Sequence, residues 1–81
     1  MKAVVCVMLK PDVLDPQGRA IQRACVTLGY DRVVDVRQGK VFEIELRTED
    51  RATAEGLVRE LCEKLLANGV IEDWRIERFA D

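Results

Sequence analysis

The segment KAVVCVML at residues 2–9, closed by Lys10-Pro11, decides the architecture. From Ala3 to Leu9 no polar residue interrupts it. Its length and its valines predict a strand that is buried on both faces. In a two-layer domain one face meets helices, so the other is expected to lie against a second chain. An oligomer is therefore the first expectation for this chain.

Working outward, residues 10–15 (KPDVLD) read as a turn. Asp15-Pro16 then opens a helix, with Asp15 as N-cap and Pro16 at the first helical position. Ile21, Ala24, Cys25 and Leu28 follow at i, i+3, i+4 and i+7, one face of that helix, and Gly29 is placed to stop it as a left-handed cap. Residues 33–47 (VVDVRQGKVFEIELR) alternate. Val34 and Val36 share a side, then Phe42, Ile44 and Leu46 oppose Glu43, Glu45 and Arg47. Gln38-Gly39-Lys40 reads either as a hairpin tip or as a bulge in one long bent strand, with two strands preferred. Residues 50–67 predict the strongest helix, through Ala54, Leu57, Val58, Leu61, Cys62 and Leu65. Glu55–Arg59 and Glu60–Lys64 pair at i,i+4 on its polar side. Asn68-Gly69 is expected to end it, and residues 71–78 give a last strand with Trp74 and Ile76 on one face. The expected fold is α+β, a two-layer sandwich of order β-α-β-β-α-β, or β-α-β-α-β if the middle strand is unbroken, in a single domain over residues 1–81.

Bulk properties agree. Of the 81 residues, 48% are hydrophobic and 35% charged, which suits a globule with a charged surface rather than a disordered tail. A domain this small buries only roughly 60–65% of the surface its unfolded chain exposes, and association is one common remedy. With 13 basic against 15 acidic residues there is no basic excess for nucleic acid. The first apolar run falls far short of the ~20 residues of a membrane span. It also lacks the flanks of a secretion signal, so a cytoplasmic location is expected.

The residues offer little to catalysis. There is no histidine, no GxGxxG and no GxxxxGK[ST]. Cys6, Cys25 and Cys62 form no CxxC, stand at apolar positions, and are expected as buried free thiols with neither metal nor catalytic role. Asp12 and Asp15 read as turn and cap. Two features stand out. Gly18 falls in the first turn of a helix, where it can admit a close backbone or simply be tolerated near the helix end. Arg37-Gln38-Gly39-Lys40 sets two cations around a glycine, able to grip a carboxylate or phosphate or simply to form a solvated tip.

Several dispersed stretches together resemble one family. They are Leu9-Lys10-Pro11, the run Val13-Leu14-Asp15-Pro16-Gln17-Gly18, and Ala20-Ile21 with Leu28-Gly29. Further along come Val36-Arg37 with Gly39-Lys40, then Cys62 to Asn68 followed by Val70-Ile71-Glu72-Asp73. In this order they look like PurS, the small subunit of phosphoribosylformylglycinamidine (FGAM) synthase. The sequence departs from that pattern at Asp12, Gly69 and Trp74, where Gly, Pro and Tyr are common. The resemblance implies a non-catalytic structural part of a ligase in de novo purine biosynthesis. In that complex a glutaminase (PurQ) releases ammonia and a synthetase (PurL) uses ATP and Mg to convert FGAR to FGAM. The small subunit is expected to form a homodimer or homotetramer, to bridge PurL and PurQ in support of ammonia transfer, and to hold no cofactor, metal or catalytic residue. Its expected contact points are Lys10, Pro11, Asp15, Pro16, Gln17 and Gly18 in the first turn and helix start. Arg37, Gly39 and Lys40 follow in the middle segment, and Asn68, Val70 and Asp73 before the last strand. A small dimeric ligand-binding regulatory domain of ferredoxin-like fold is the alternative. An acylphosphatase-like enzyme would need a phosphate-cradling loop that is not seen in the sequence.

Overall fold

The apolar run becomes the centre of the molecule. In the computed structural model, which describes residues 1–80, β1 (Lys2–Leu9) pairs antiparallel on one side with β2 (Gly39–Glu45) and on the other with β3 (Glu72–Ala80). Alternation sends Ala3, Val5 and Val7 to one face, where all three are fully buried. Helix α2 (Arg51–Leu61), which also buries Ala54, lays Val58 on them, and the turn that follows it adds Cys62. Arg51 stacks over Phe79 and Arg59 over Trp74, at 4.4 and 5.7 Å, so this flank of α2 overlies β3.

Helix starts follow the expected caps. Asp15 accepts from the N–H of Gly18 to open α1 (Pro16–Thr27), and Asp50 accepts from the N–H of Thr53 to open α2. Gly29, at φ 94°, closes α1 with the N–H of Tyr30 bonded to the Cys25 carbonyl and that of Gly29 to Val26. Helical turns continue to Leu66, just before the expected stop at Asn68-Gly69, but their form differs from the expectation. The helix widens into a π turn over Cys62–Leu66, and Gly69 is not left-handed. Asn68 instead organises the next turn: its side chain accepts from Val70, and its carbonyl from Ile71 and Glu72.

The middle segment contributes one strand to the sheet. Only Gly39–Glu45 joins the sheet, and residues 33–38 run on unpaired without a hairpin. The order is therefore β-α-β-α-β, within the α+β two-layer class. Among the cysteines only Cys62 enters the core; Cys6 and Cys25 are half-buried, and all three are free thiols.

The larger departure concerns α1. No residue of α1 belongs to the core, and Ile21 and Leu28 are 44% and 73% exposed. Together with residues 30–38, α1 forms an arm beyond the end of the sheet. A strand like β1 spans about 27 Å and a helix like α1 about 18 Å. Laid nearly end to end they account for the longest dimension of 48 Å. The radius of gyration is 16.0 Å, against about 12 Å for a compact chain of this length.

Glycine positions separate cleanly. A Cβ on Gly56, in the middle of α2, would meet nothing within 4 Å. Gly56→Ala should therefore raise stability by about 0.5–1 kcal/mol, through helix propensity and a less flexible unfolded chain. A rise in the urea midpoint at unchanged slope measures this.

Candidate functional site

The three stretches singled out from the sequence are far apart in the chain and meet at one end of the sheet. β1 leaves there through Lys10-Pro11, β2 enters through Gly39-Lys40, and β3 enters through Glu72-Asp73. Antiparallel pairing with β1 as the common partner makes this juxtaposition unavoidable. The N–H of Lys10 donates to the Ile71 carbonyl at 2.8 Å, and its ammonium lies 2.7 Å from the Asp73 carboxylate.

The centre of this end is Asp15. Its carboxylate is 9% exposed and accepts two backbone N–H groups, from Gly18 at 2.9 Å and from Gln38 at 2.8 Å. Arg37 sits beside it, Nε to Oδ2 3.9 Å, and donates through Nη2 to the carbonyls of Leu9 at 2.6 Å and Lys10 at 3.1 Å. One carboxylate and one guanidinium thus tie together the start of α1, the end of β1 and the entry to β2. The N–H of Gln38, then that of Gly18, hold the Asp15 carboxyl below its usual value; burial opposes them and Arg37 adds a smaller pull.

Gly18 follows from the same closeness. A Cβ there would run into the backbone carbonyl of Val36, well inside van der Waals contact. The close-approach reading of this glycine is what the fold uses. Gly39 is similarly pressed, by the Met8 side chain and the Val7 carbonyl.

The candidate contact residues divide into two groups. Asp15, Gly18, Arg37 and Gly39 are engaged inside the chain, and Arg37 is not the solvated tip that Arg37-Gln38-Gly39-Lys40 allowed. Pro11, Pro16, Gln17 and Val70 are exposed; Lys40 and Asp73 are exposed but ion-paired, Lys40 with Glu72 at 3.2 Å. Asn68 spends its side chain on the turn before β3. Two residues missed in the sequence belong here. Gln38 joins Asp15 through its backbone and Gln17 through its side chain. Glu72 accepts the N–H of Asn68 at 2.7 Å, which with Lys40 draws its carboxyl below the ordinary range against the opposing effect of burial. Its place inside Val70-Ile71-Glu72-Asp73 was the available signal.

Chemically the arrangement ties segments of the chain to one another. Nothing in it pairs a nucleophile with a base. Among the described residues no group of three or more acidic, histidine or cysteine side chains is placed to hold a metal, and no helix is long and apolar enough to cross a membrane.

The comparisons with known proteins follow the same lines. The profile of the family described as PurS: Phosphoribosylformylglycinamidine (FGAM) synthase matches residues 2–80. The PurS subunit of Bacillus subtilis is 53% identical over 76 residues, covering 94% of this chain and 89% of the relative. The crystal structure of Methanocaldococcus jannaschii PurS superposes with a TM-score of 0.84 at 43% identity, over 94% of this chain and 92% of that one. A chain in the structure of PurLQS from Thermotoga maritima does so with a TM-score of 0.82 at 28% identity, over 95% and 96%.

Two outcomes check this geometry. Gly18→Ala should cost about 1–3 kcal/mol, because the carbonyl it strikes is backbone and must move, read as a drop in the urea midpoint opposite in sign to that of Gly56→Ala. Asp15 and Glu72 have depressed folded pKa values. Their stabilisation is present above the unfolded values near 3.8 and 4.5 and is lost as pH falls through the folded ones. Urea midpoints should fall as pH drops below about 4, and Asp15→Asn should start lower at neutral pH and show a shallower fall.

Proposed function

The chain belongs to the PurS family, subunits of FGAM synthase in purine biosynthesis, and from that membership we propose that its part in the complex is structural. It bridges the PurL synthetase and the PurQ glutaminase and supports the transfer of ammonia between them, without a cofactor of its own; ATP and Mg act on PurL, in the cytoplasm. Ammonia released into neutral water is largely protonated and no longer nucleophilic. A closed path between subunits keeps it neutral by excluding water. The small subunit contributes the geometry of that path and no reacting group.

The observation that carries this reading is the uncovered arm. A chain with a radius of gyration of 16.0 Å and an apolar helix face turned to solvent is built to be completed by other chains. Its first completion is a second copy. On the core side of the sheet α2 covers β3 and β1, while the inward row of β2, Phe42, Ile44 and Leu46, stays half-buried. The flank of α2 that faces this row carries Leu57, 43% exposed, and Leu61. A helix with the face Ile21, Cys25 and Leu28 fills that trough, and two chains related by a twofold axis each supply one. The open face of β1, with half-buried Cys6 and Met8, leaves a further surface for a homotetramer or for the larger subunits. Lys40, Gln17 and Pro11, exposed around the latched end, are the proposed points of contact with PurL and PurQ. The regulatory ligand-binding alternative has no comparable support, because family membership extends over residues 2–80.

Reconstitution tests the reading. Glutamine-dependent FGAM formation by PurL and PurQ from the same source is expected to require this chain, while the chain alone turns over nothing. Equal rates with and without it would remove the proposal.

A further inference from the structure

Two seatings of the arm are compatible with this connectivity. The chain can turn back at Gln38-Gly39-Lys40, set residues 33–37 beside β2, and lay α1 over its own β2 against Leu57 and Leu61. Or it can run straight, as here, and leave that place to another copy. α1 starts beside the entry to β2: Asp15 and Pro16 line, with Val7, Leu9, Gly39 and Lys40, a cleft of about 450 Å³. The helix, about 18 Å long, is no longer than the seven-residue β2, about 23 Å. Length therefore does not choose between the two seatings.

We propose that residues 38–40 are a hinge locked open by Asp15 and Arg37, and that this lock reserves the trough for the helix of a second copy. The inference rests on the two-copy reading given above. Three features of the chain act together.

The first is the lock itself. Turning back requires the 33–38 segment to leave the end of β1. Arg37 holds it there through the Leu9 and Lys10 carbonyls, and Asp15 holds the N–H of Gln38. Gly18, seated on the Val36 carbonyl, keeps α1 alongside as part of the same rigid arm.

The second is side-chain parity. In an unbroken strand Val34 and Val36 share a face with Phe42, Ile44 and Leu46, the core face. A two-residue turn at Gln38-Gly39 would pair Arg37 with Lys40 and bring Asp35 and Arg37 onto that core face, with the valines outside. A one-residue difference in register inverts the whole set.

The third is turn chemistry. The tight hairpin turns that match strand twist need φ > 0 at their first central residue, a place for Asn or Gly. Gln38 stands there. The short connection thus resists closing, the condition under which identical elements are exchanged between copies.

The test lengthens the hinge. Gly-Ser-Gly inserted between Gln38 and Gly39 frees both register and turn. Small-angle scattering and sedimentation are run on the parent and variant chains at matched concentrations. The expected result is a dissociated variant with a radius of gyration of about 12 Å. A variant that keeps the parent's mass and extended shape overturns the hinge. If the parent is itself an extended monomer, the self-association reading fails, while compaction of the variant still decides the hinge. Should the insertion variant not fold, Asp15→Asn takes its place. Releasing the lock lets the closed monomer compete, and the dissociation constant of the dimer should rise at least about tenfold. An unchanged constant in a folded Asp15→Asn protein overturns the proposal.

Discussion

Asp15 accepts two backbone N–H groups, one from its own helix start and one from the entry to β2, and the shape of the molecule depends on that pair of bonds. Buried carboxylates are tolerated where hydrogen bonds replace their hydration. Here the replacement comes from Gly18 and Gln38, 20 residues apart in sequence, with Arg37 nearby to balance charge. Because Arg37 also grips the last carbonyls of β1, the arm cannot pivot without opening the whole cluster. Gly18 is the steric counterpart of this electrostatic tie: the arm can lie this close to residues 33–38 only because no Cβ stands between them.

That fixed arm suits the structural part proposed for this subunit. A subunit that guides a reactive small molecule between two active sites must hold distances and exclude water. Both are properties of packing between chains. The single chain leaves α1 and the inward row of β2 incompletely covered, so its folding free energy and its assembly are linked, as is common for small domains. The charged residues that remain around the latched end mostly pair with one another, Lys10 with Asp73 and Lys40 with Glu72. The exposed Lys10–Asp73 pair adds little stability and serves better to define a surface, whereas Glu72 is the largely buried member of its pair.

Much of the fold was legible in the sequence where local physics decides. The N-cap Asp15, the glycine that ends α1 and the inward sets of β2 and β3 follow from capping chemistry and alternation. Gly18 was marked as odd because glycine in a helix start is costly unless something approaches closely, and Val36 does. The end of the second helix was read in place but not in kind: helical turns run to Leu66, just before Asn68-Gly69, but the last of them is a π turn with Leu66 and Ala67 against the core, and Gly69 is not left-handed. Arg37 was left between gripping an anion and forming a solvated tip, because nothing in a sequence tells a guanidinium in solvent from one against two carbonyls contributed by residues 9 and 10.

The sequence by itself determined most of the elements and the apolar character of β1, because each depends on residue type and on spacing within one helix or strand. Its dispersed motifs also pointed to the family. It could not determine where the arm goes. Whether residues 33–47 fold back or run straight is decided by bonds from Asp15 and Arg37 to groups far away in the chain, and by a steric contact between Gly18 and Val36. Only the tertiary structure brings those groups together. Once it does, the apolar face of α1, which alternation and helical period assign to a core, is left without one inside its own chain.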